Sequence, residues 1–117
     1  MNELDRVIHE PARLQIVALL SGAEEADFLF LQRETGLTKG NLSSHLVKLE
    51  EVGYVGIEKT FRGKIPMTVL RLTAEGRAAF EGYRKAMNAM LKAAALSNAP
   101  VAAKLKTLSA PLDAASG

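Results

Sequence analysis

The chain has 117 residues, of which 48% are hydrophobic and only 5% aromatic, so we expect one small domain with a modest aliphatic core. It contains no cysteine, which excludes disulfides, thiolate metal sites and thiol redox sensing. The formal net charge is only +2, but residues 1–36 carry three basic against seven acidic side chains, whereas residues 37–77 carry seven against four. This basic excess in the second segment is typical of a surface that meets an anionic partner.

The N-terminal third predicts three helices. Leu4, Val7 and Ile8 suit a short first helix. Pro11 is well placed at the first position of a second helix, which ends before Gly22. An acidic loop, Gly22 to Asp27, leads into a third helix from Phe28 to about Thr35, with Asp27 as its N-cap. We expect the side chains of Phe28 and Leu31 in the third helix to face the core, and Leu29 is a further candidate for a core-facing side chain.

A fourth helix is predicted from about Lys39 to Val52. Gly36 makes the tight turn into it, Thr38 is its N-cap, and Gly53 sits where a left-handed C-cap belongs. Leucines recur at helical spacing and form one apolar stripe, at Leu42, Leu46 and Leu49. The residues that point away from this stripe are small near the start and basic in the middle: Gly40, Ser43, Ser44, Val47, Lys48 and Glu51.

Such a face has two interpretations. Small side chains let a helix enter the major groove of DNA, where hydroxyls and lysines reach phosphates or base edges. The alternative is the solvated face of an ordinary core helix, because serine and lysine are common on any surface. The helix by itself leaves both interpretations open.

A β-hairpin is predicted directly after this helix. Val55, Ile57 and Lys59 alternate with Gly56 and Glu58, and a second apolar run contains Val69, Leu70 and Leu72. Residues Thr60 to Pro66 form a polar tip that carries Arg62, Gly63 and Lys64. A basic tip next to a helix of this kind can reach the DNA backbone or minor groove, although hairpin tips are also charged simply for solubility.

The order helix, hairpin, helix from Leu37 to Phe80 resembles the winged helix-turn-helix of MarR and ArsR type transcriptional regulators. The resemblance rests on TGLTKGNLSSHLVKLEEVGYV and LRLTAEGRAAF and extends from about Leu4 to Tyr83. It implies a mostly α fold with a small β-hairpin wing. It also implies a homodimer that binds a pseudo-palindromic operator, and we expect this regulator to be a repressor. One departure from the family pattern is that Ile65 and Met67 stand where related sequences often carry arginine or lysine.

The resemblance also implies which residues contact duplex DNA. They are the recognition-helix residues Thr38, Lys39, Gly40, Asn41, Ser43, Ser44 and Lys48, together with the wing residues Arg62, Gly63 and Lys64. Regulators of this type usually bind a small-molecule effector between the dimer helix and the winged domain, but no residue here specifies one. A second function class is a winged helix that serves as a protein-interaction module in a larger assembly.

A long C-terminal helix is predicted from Thr73, its N-cap, with Glu75 in the first turn. Apolar residues follow at alternating three- and four-residue steps, which suits packing against another helix. We interpret this seam as the dimer interface, and the alternative is that it packs against its own subunit. Its residues are Phe80, Tyr83, Met87, Met90, Leu91 and Ala94.

The sequence thus divides into a winged-helix DNA-binding domain (1–73), a dimerisation helix (74–98) and a short helix or flexible tail (99–117). Pro100 is expected to end the long helix. The two histidines, His9 and His45, are too few for a metal site, and no catalytic, cofactor or phosphate-loop motif is present. We therefore expect no enzyme, no cofactor and no metal. The start of the chain lacks the basic region of a signal peptide and no long apolar stretch is present, so we expect a cytoplasmic protein.

Overall fold

A computed structural model describes residues 4–97 of the chain. The elements follow in the order α1 (Arg6–His9), α2 (Pro11–Ser21), β1 (Ala26–Asp27), α3 (Phe28–Thr35), α4 (Lys39–Glu51), β2 (Val55–Arg62), β3 (Ile65–Leu72) and α5 (Ala74–Ser97). This architecture confirms the expected fold class, which is mostly helical with a β-hairpin between the last two helices. The predicted end of the long helix at Pro100 and the tail from residue 99 lie outside the described residues.

Side chains at the predicted caps begin the helices. The Asp27 carboxylate accepts a hydrogen bond of 2.7 Å from the Phe30 N–H and starts α3 as expected. Pro11 occupies the first turn of α2, and the Glu10 carboxylate accepts from the Arg13 N–H at 2.9 Å. This hydrogen bond lowers the pKa of Glu10. The first helix begins later than predicted, because Asp5 caps it and Leu4 lies outside it.

Within residues 4–97 the strands form one antiparallel sheet in the order β1-β3-β2. Two predictions were wrong here. The loop predicted across residues 22–27 contains β1, whose Ala26 and Asp27 pair with Leu70 and Val69. The tip predicted from Thr60 to Pro66 is much shorter, because β2 and β3 stay paired as far as Arg62 and Ile65 and leave a two-residue turn.

The core lies where α2, α3, α4 and the hairpin meet. Its buried side chains are Ile16, Val17, Leu20, Leu31, Leu42, Leu46, Leu49, Val55, Leu70 and Leu72. Full burial of one such leucine or isoleucine stabilises the fold by roughly 2 kcal/mol. Phe28 packs against this core, but the inward placement of Leu29 was wrong, because its side chain is 70% exposed. One residue further along a helix is a rotation of about 100°, which carries Leu29 off the face of Phe28 and Leu31.

The start of α5 is fixed against the segment that follows α4. The Thr73 hydroxyl donates to the Gly53 carbonyl at 2.6 Å and accepts from the Gly76 N–H at 2.9 Å, so Thr73 caps α5 as predicted. A side chain at Gly76 would place its Cβ 2.1 Å from the Tyr54 carbonyl oxygen, which only glycine avoids.

The contacts of the chain divide it into two units after Arg84, within the span of α5. The first unit contains the helices, the sheet and the core described above. The second begins at Lys85 and contains the remainder of α5 up to Ser97. No helix among residues 4–97 is long and apolar enough to cross a membrane.

Candidate nucleic-acid interface

Helices α3 and α4 and the turn between them form a helix-turn-helix. Gly36 ends α3 in the left-handed conformation at φ 70°, and its N–H donates to the Gln32 carbonyl at 2.9 Å. The chain then turns into α4, where the Thr38 hydroxyl accepts from the Asn41 N–H at 3.1 Å. These two local features fix where α4 begins and how it is aimed.

The rotation of α4 about its axis is set by its leucines. Leu42 and Leu49 are completely buried and Leu46 is 2% exposed. The opposite side of the helix is open to solvent. Every predicted recognition-helix residue is exposed, namely Thr38, Lys39, Gly40, Asn41, Ser43, Ser44 and Lys48. The structure therefore provides the exposed, small and basic helix face that the sequence predicts, and contact of this face with DNA stays a prediction.

The wing is the hairpin of β2 and β3. Arg62, Gly63 and Lys64 lie at its far end and are exposed, and Gly63 opens the turn with φ 64°. A glycine with positive φ at the first position suits a two-residue hairpin turn. Ile65 and Phe61 extend the end of the wing as exposed apolar side chains, 68% and 67% accessible.

A groove of about 790 Å³ runs between α4, α3 and the wing. Lys39 and Ser43 line it from α4, and Lys59 lines it from β2. Lys59 is not among the DNA-binding residues predicted from the sequence. A signal for it was present, because Lys59 continues the alternation of Val55 and Ile57, which places it on the strand face that turns toward the core side of the sheet.

A second concave surface, of about 590 Å³, follows the other side of the recognition helix. Ser44 and Lys48 line it together with Arg13 of α2, which the sequence did not single out. Arg13 donates from Nε to the Val7 carbonyl at 2.7 Å, and its Nη1 lies 3.3 Å from His45 Nδ1. A guanidinium can only donate, so Nδ1 is the acceptor in this contact. His45 thus positions a cation beside the helix.

The ion pairs found among residues 4–97 leave the basic side chains of this surface unneutralised. Arg71 Nη2 bridges Glu25 and Glu58 at 2.9 and 3.0 Å, and Arg84 pairs with Glu81 at 2.8 Å. The hydrogen bonds that Arg71 donates to Glu58 and Glu25 raise the pKa of Arg71. None of these pairs in the described part of the chain includes the cations at the recognition helix or wing: Lys39, Lys48, Lys59, Arg62 and Lys64. Their charge is available to phosphates.

The six residues predicted to form the dimer interface have different surroundings. Phe80 packs against the core of the first unit, and Tyr83 is 5% exposed with its hydroxyl 2.9 Å from His9 Nδ1. In the second unit Met87 is half-buried, whereas Met90 and Leu91 are 49% and 59% exposed and Ala94 is exposed. Phe80 and Tyr83 therefore pack within their own subunit, and the interface remains a prediction.

Comparison with known proteins agrees with this geometry. Residues 12–91 match the family described as winged helix DNA-binding domain. An uncharacterized protein of Methanocaldococcus jannaschii is 39% identical over 79 residues, which cover 67% of this chain and 85% of that protein.

Solved structures of similar fold include a transcriptional regulator homologue from Pyrococcus horikoshii OT3. It is 29% identical with a TM-score of 0.72, over 76% of this chain and 88% of that one. The transcriptional repressor CouR, bound to a 23-mer DNA duplex, is 20% identical with a TM-score of 0.64, over 92% of this chain and 76% of that one. At that identity CouR supports the fold alone.

The family match covers most of the chain, including the helix-turn-helix, the wing and most of α5. It confirms the resemblance to winged-helix regulators that is present in the sequence. The chain belongs to the winged helix DNA-binding domain family.

Proposed function

We propose that this protein is a sequence-specific transcriptional regulator that binds operator DNA as a homodimer and represses transcription. The observation that carries the proposal is the exposed face of α4, where small side chains and exposed lysines lie opposite the buried leucine stripe. The major groove of B-DNA, about 12 Å wide, admits one α-helix. Small outward residues let the helix approach the base edges, and the lysines supply the charge that phosphates require.

The grooves on either side of the recognition helix support the same proposal. Lys39 and Lys59 line one of them and Arg13 and Lys48 line the other. A helix seated in the major groove has a sugar–phosphate strand on each side. Cations in both grooves are therefore placed to contact both strands.

The homodimer part of the proposal rests on the exposed apolar side chains of α5, Met90 and Leu91. Two subunits related by a two-fold axis recognise a pseudo-palindromic site, one half-site each. A dimer that occupies an operator excludes other proteins from the same DNA, which is the basis for proposing repression. An operator-binding protein works where the chromosome is, so we propose a cytoplasmic location.

The first experiment is selection of bound sequences from random duplex DNA with the purified protein, followed by affinity measurements at several salt concentrations. The logarithm of the association constant should fall linearly with the logarithm of salt concentration, with a slope of about 0.9 per neutralised phosphate. Enrichment of a sequence with inverted symmetry and a steep salt slope would support the proposal. Binding that is unselective would contradict sequence-specific regulation.

Ser44→Glu tests the position of the recognition helix. Ser44 is exposed one turn before Lys48 on the same helix face, so a carboxylate there would face phosphates across the groove. We expect loss of binding to the selected site with the fold intact. Ser97→Glu, at the exposed last residue of α5, introduces the same charge elsewhere and should bind normally.

A second candidate function, a protein-interaction module, is favoured by the apolar character of the groove between α4 and the wing. Leu29 and Phe61 border this groove and are 70% and 67% exposed, which is unusual for large apolar side chains. Insensitivity to DNA together with a stable complex with a cellular protein would favour this function. Steep salt dependence of duplex binding would favour the first.

A further inference from the structure

Val47 is an apolar residue in the middle of the outward face of the recognition helix, and its side chain is 50% exposed. The core of the first unit does not use it, because the buried leucines of α4 lie on the opposite side. Valine is also a poorer helix former than alanine or lysine. Its presence at this exposed position is therefore not explained by the stability of the chain.

The neighbours of Val47 make it the most prominent apolar group on that face. Ser43 and Ser44 lie four and three residues before it, and side chains on a helix lean toward the N-terminus. The isopropyl group therefore lies over two small residues. Gly40, a further turn back, has no side chain, and a Cβ placed there would meet nothing within 4 Å. The side chains on the N-terminal side of Val47 are therefore short or absent. A flat partner such as a base edge can approach Val47 across them.

The chemistry of the major groove supplies a matching apolar group. Every base edge there presents hydrogen-bonding atoms, but only thymine adds a methyl group, at C5. A valine in a helix is held in essentially one rotamer, so little conformational freedom is lost when it packs against that methyl. Packed against cytosine instead, it would leave the N4 amino group without a hydrogen-bond partner, which is costly.

We infer that Val47 packs against the C5-methyl group of one thymine in each half-site and selects thymine at that position. This inference rests on the proposed function. Ser44 and Lys48 flank it and would contact hydrogen-bonding atoms or phosphates. Val47 thereby becomes a specificity residue that the polar pattern of the helix does not reveal.

The test replaces thymine with deoxyuridine, which lacks only the methyl group, at one symmetric pair of positions at a time in the selected operator. At one of these positions the parent protein should bind the deoxyuridine duplex about fourfold more weakly, per half-site, than the thymine duplex. This factor is the effect of burying one methyl group. Val47→Ala should bind the thymine duplex more weakly than the parent does. It should no longer distinguish thymine from deoxyuridine at that position, which is the coupling expected of two groups in contact.

Ser44→Ala is the matched control, because it truncates a neighbouring side chain on the same face and should keep the discrimination at that position. Circular dichroism should find Val47→Ala as helical as the parent, since the residue is half-exposed and alanine favours helix. Equal affinity of the parent for the thymine and deoxyuridine duplexes at every position would overturn the inference about Val47. The proposed function would still be supported in that case if duplex binding weakened steeply with added salt. Discrimination that survives in Val47→Ala would also overturn it. Absence of any duplex binding would overturn both.

Discussion

Gly40 is a recognition-helix residue whose lack of a side chain has no explanation in the fold. Its φ is not positive, and a Cβ at this position would meet open space. Gly76 provides the contrast, because a Cβ there would lie 2.1 Å from the Tyr54 carbonyl oxygen. The first glycine is thus free to change without harm to the fold, and the second is not.

Gly40→Ala should therefore stabilise the protein and weaken its binding to DNA. Alanine in a helix-compatible position raises the free energy of unfolding by about 0.5–1 kcal/mol, mostly by restricting the unfolded chain. The added methyl group faces outward, where we propose that DNA approaches most closely. Thermal unfolding and titration of the selected operator measure the two effects. Gly76→Ala should lose stability instead, and a Gly40→Ala variant that binds as tightly as the parent would place the start of α4 away from the DNA.

At the scale of elements, the Tyr54 hydroxyl connects the segment after α4 to the cap of α1. It donates to Asp5 Oδ2 at 2.5 Å, while Asp5 Oδ1 accepts from the N–H groups of Val7 and Ile8. The pKa of Tyr54 is raised to about 12, mainly by the hydrogen bond to Asp5 and to a smaller extent by partial burial. The neutral hydroxyl is therefore favoured in the folded state.

Tyr54→Phe should lower the free energy of unfolding by about 1 kcal/mol at neutral pH, the usual net value of one hydrogen bond. Because the folded pKa is raised, this contribution is complete below pH 10, where the unfolded tyrosine titrates, and is lost as the pH rises toward 12. Urea unfolding of parent and variant at several pH values gives the difference. A gap between them that widened above pH 10 would contradict the assigned hydrogen bond.

The wing should contribute affinity more than sequence preference. Replacing Arg62 and Lys64 together by alanine is expected to weaken binding to all duplexes and to flatten the salt slope by roughly one unit per lost phosphate contact. The control is the double replacement of Lys85 and Lys92, exposed lysines of α5, which removes the same charge. A changed sequence preference with an unchanged slope would mean that the wing reads bases.

Elements with strong local signals could be predicted from the sequence, and those that depend on distant partners could not. Thr38 and Asp27 cap helices because each interacts with a backbone N–H three residues away. The two-residue strand β1 has no such local signal, since it exists through pairing with Val69 and Leu70. Likewise Pro66 suggests a loop, yet it is paired with Phe61 near the start of β3, in a part of that strand that β1 does not reach.

The candidate site follows the same rule. The outward face of α4 could be predicted because the leucine stripe fixes the rotation of the helix. Arg13 could not, because its place beside His45 depends on how α2 packs against α4. The alternation along β2 indicates the strand face on which Lys59 lies, but its place beside α4 depends on the packing of the wing against that helix. Site residues whose position is set by a single element can be predicted from the sequence. Those that a second element brings to the site can be identified only from the tertiary structure.

At the scale of the whole molecule, the proposed dimer determines the spacing of the operator. Two recognition helices related by a two-fold axis must enter successive major grooves on one face of the duplex. Their half-sites should therefore be inverted and lie about 10 base pairs apart, or a multiple of that distance. Selected sequences with direct repeats, or with half-sites on opposite faces of the duplex, would contradict the two-fold arrangement.

The apolar residues of α5 in the second unit are where we expect this dimer to be disrupted. Met87→Glu and Leu91→Glu would each place an unpaired carboxylate in the interface, where its desolvation is costly. Leu91 is 59% exposed in the single chain, so a charge there should leave the monomer folded. We expect both variants to sediment as monomers and, with only half of the contacts, to bind the operator far more weakly, while Met87→Leu stays dimeric. A Leu91→Glu variant that remains dimeric and binds normally would place the interface elsewhere, with the N-terminal helix as the next segment to test.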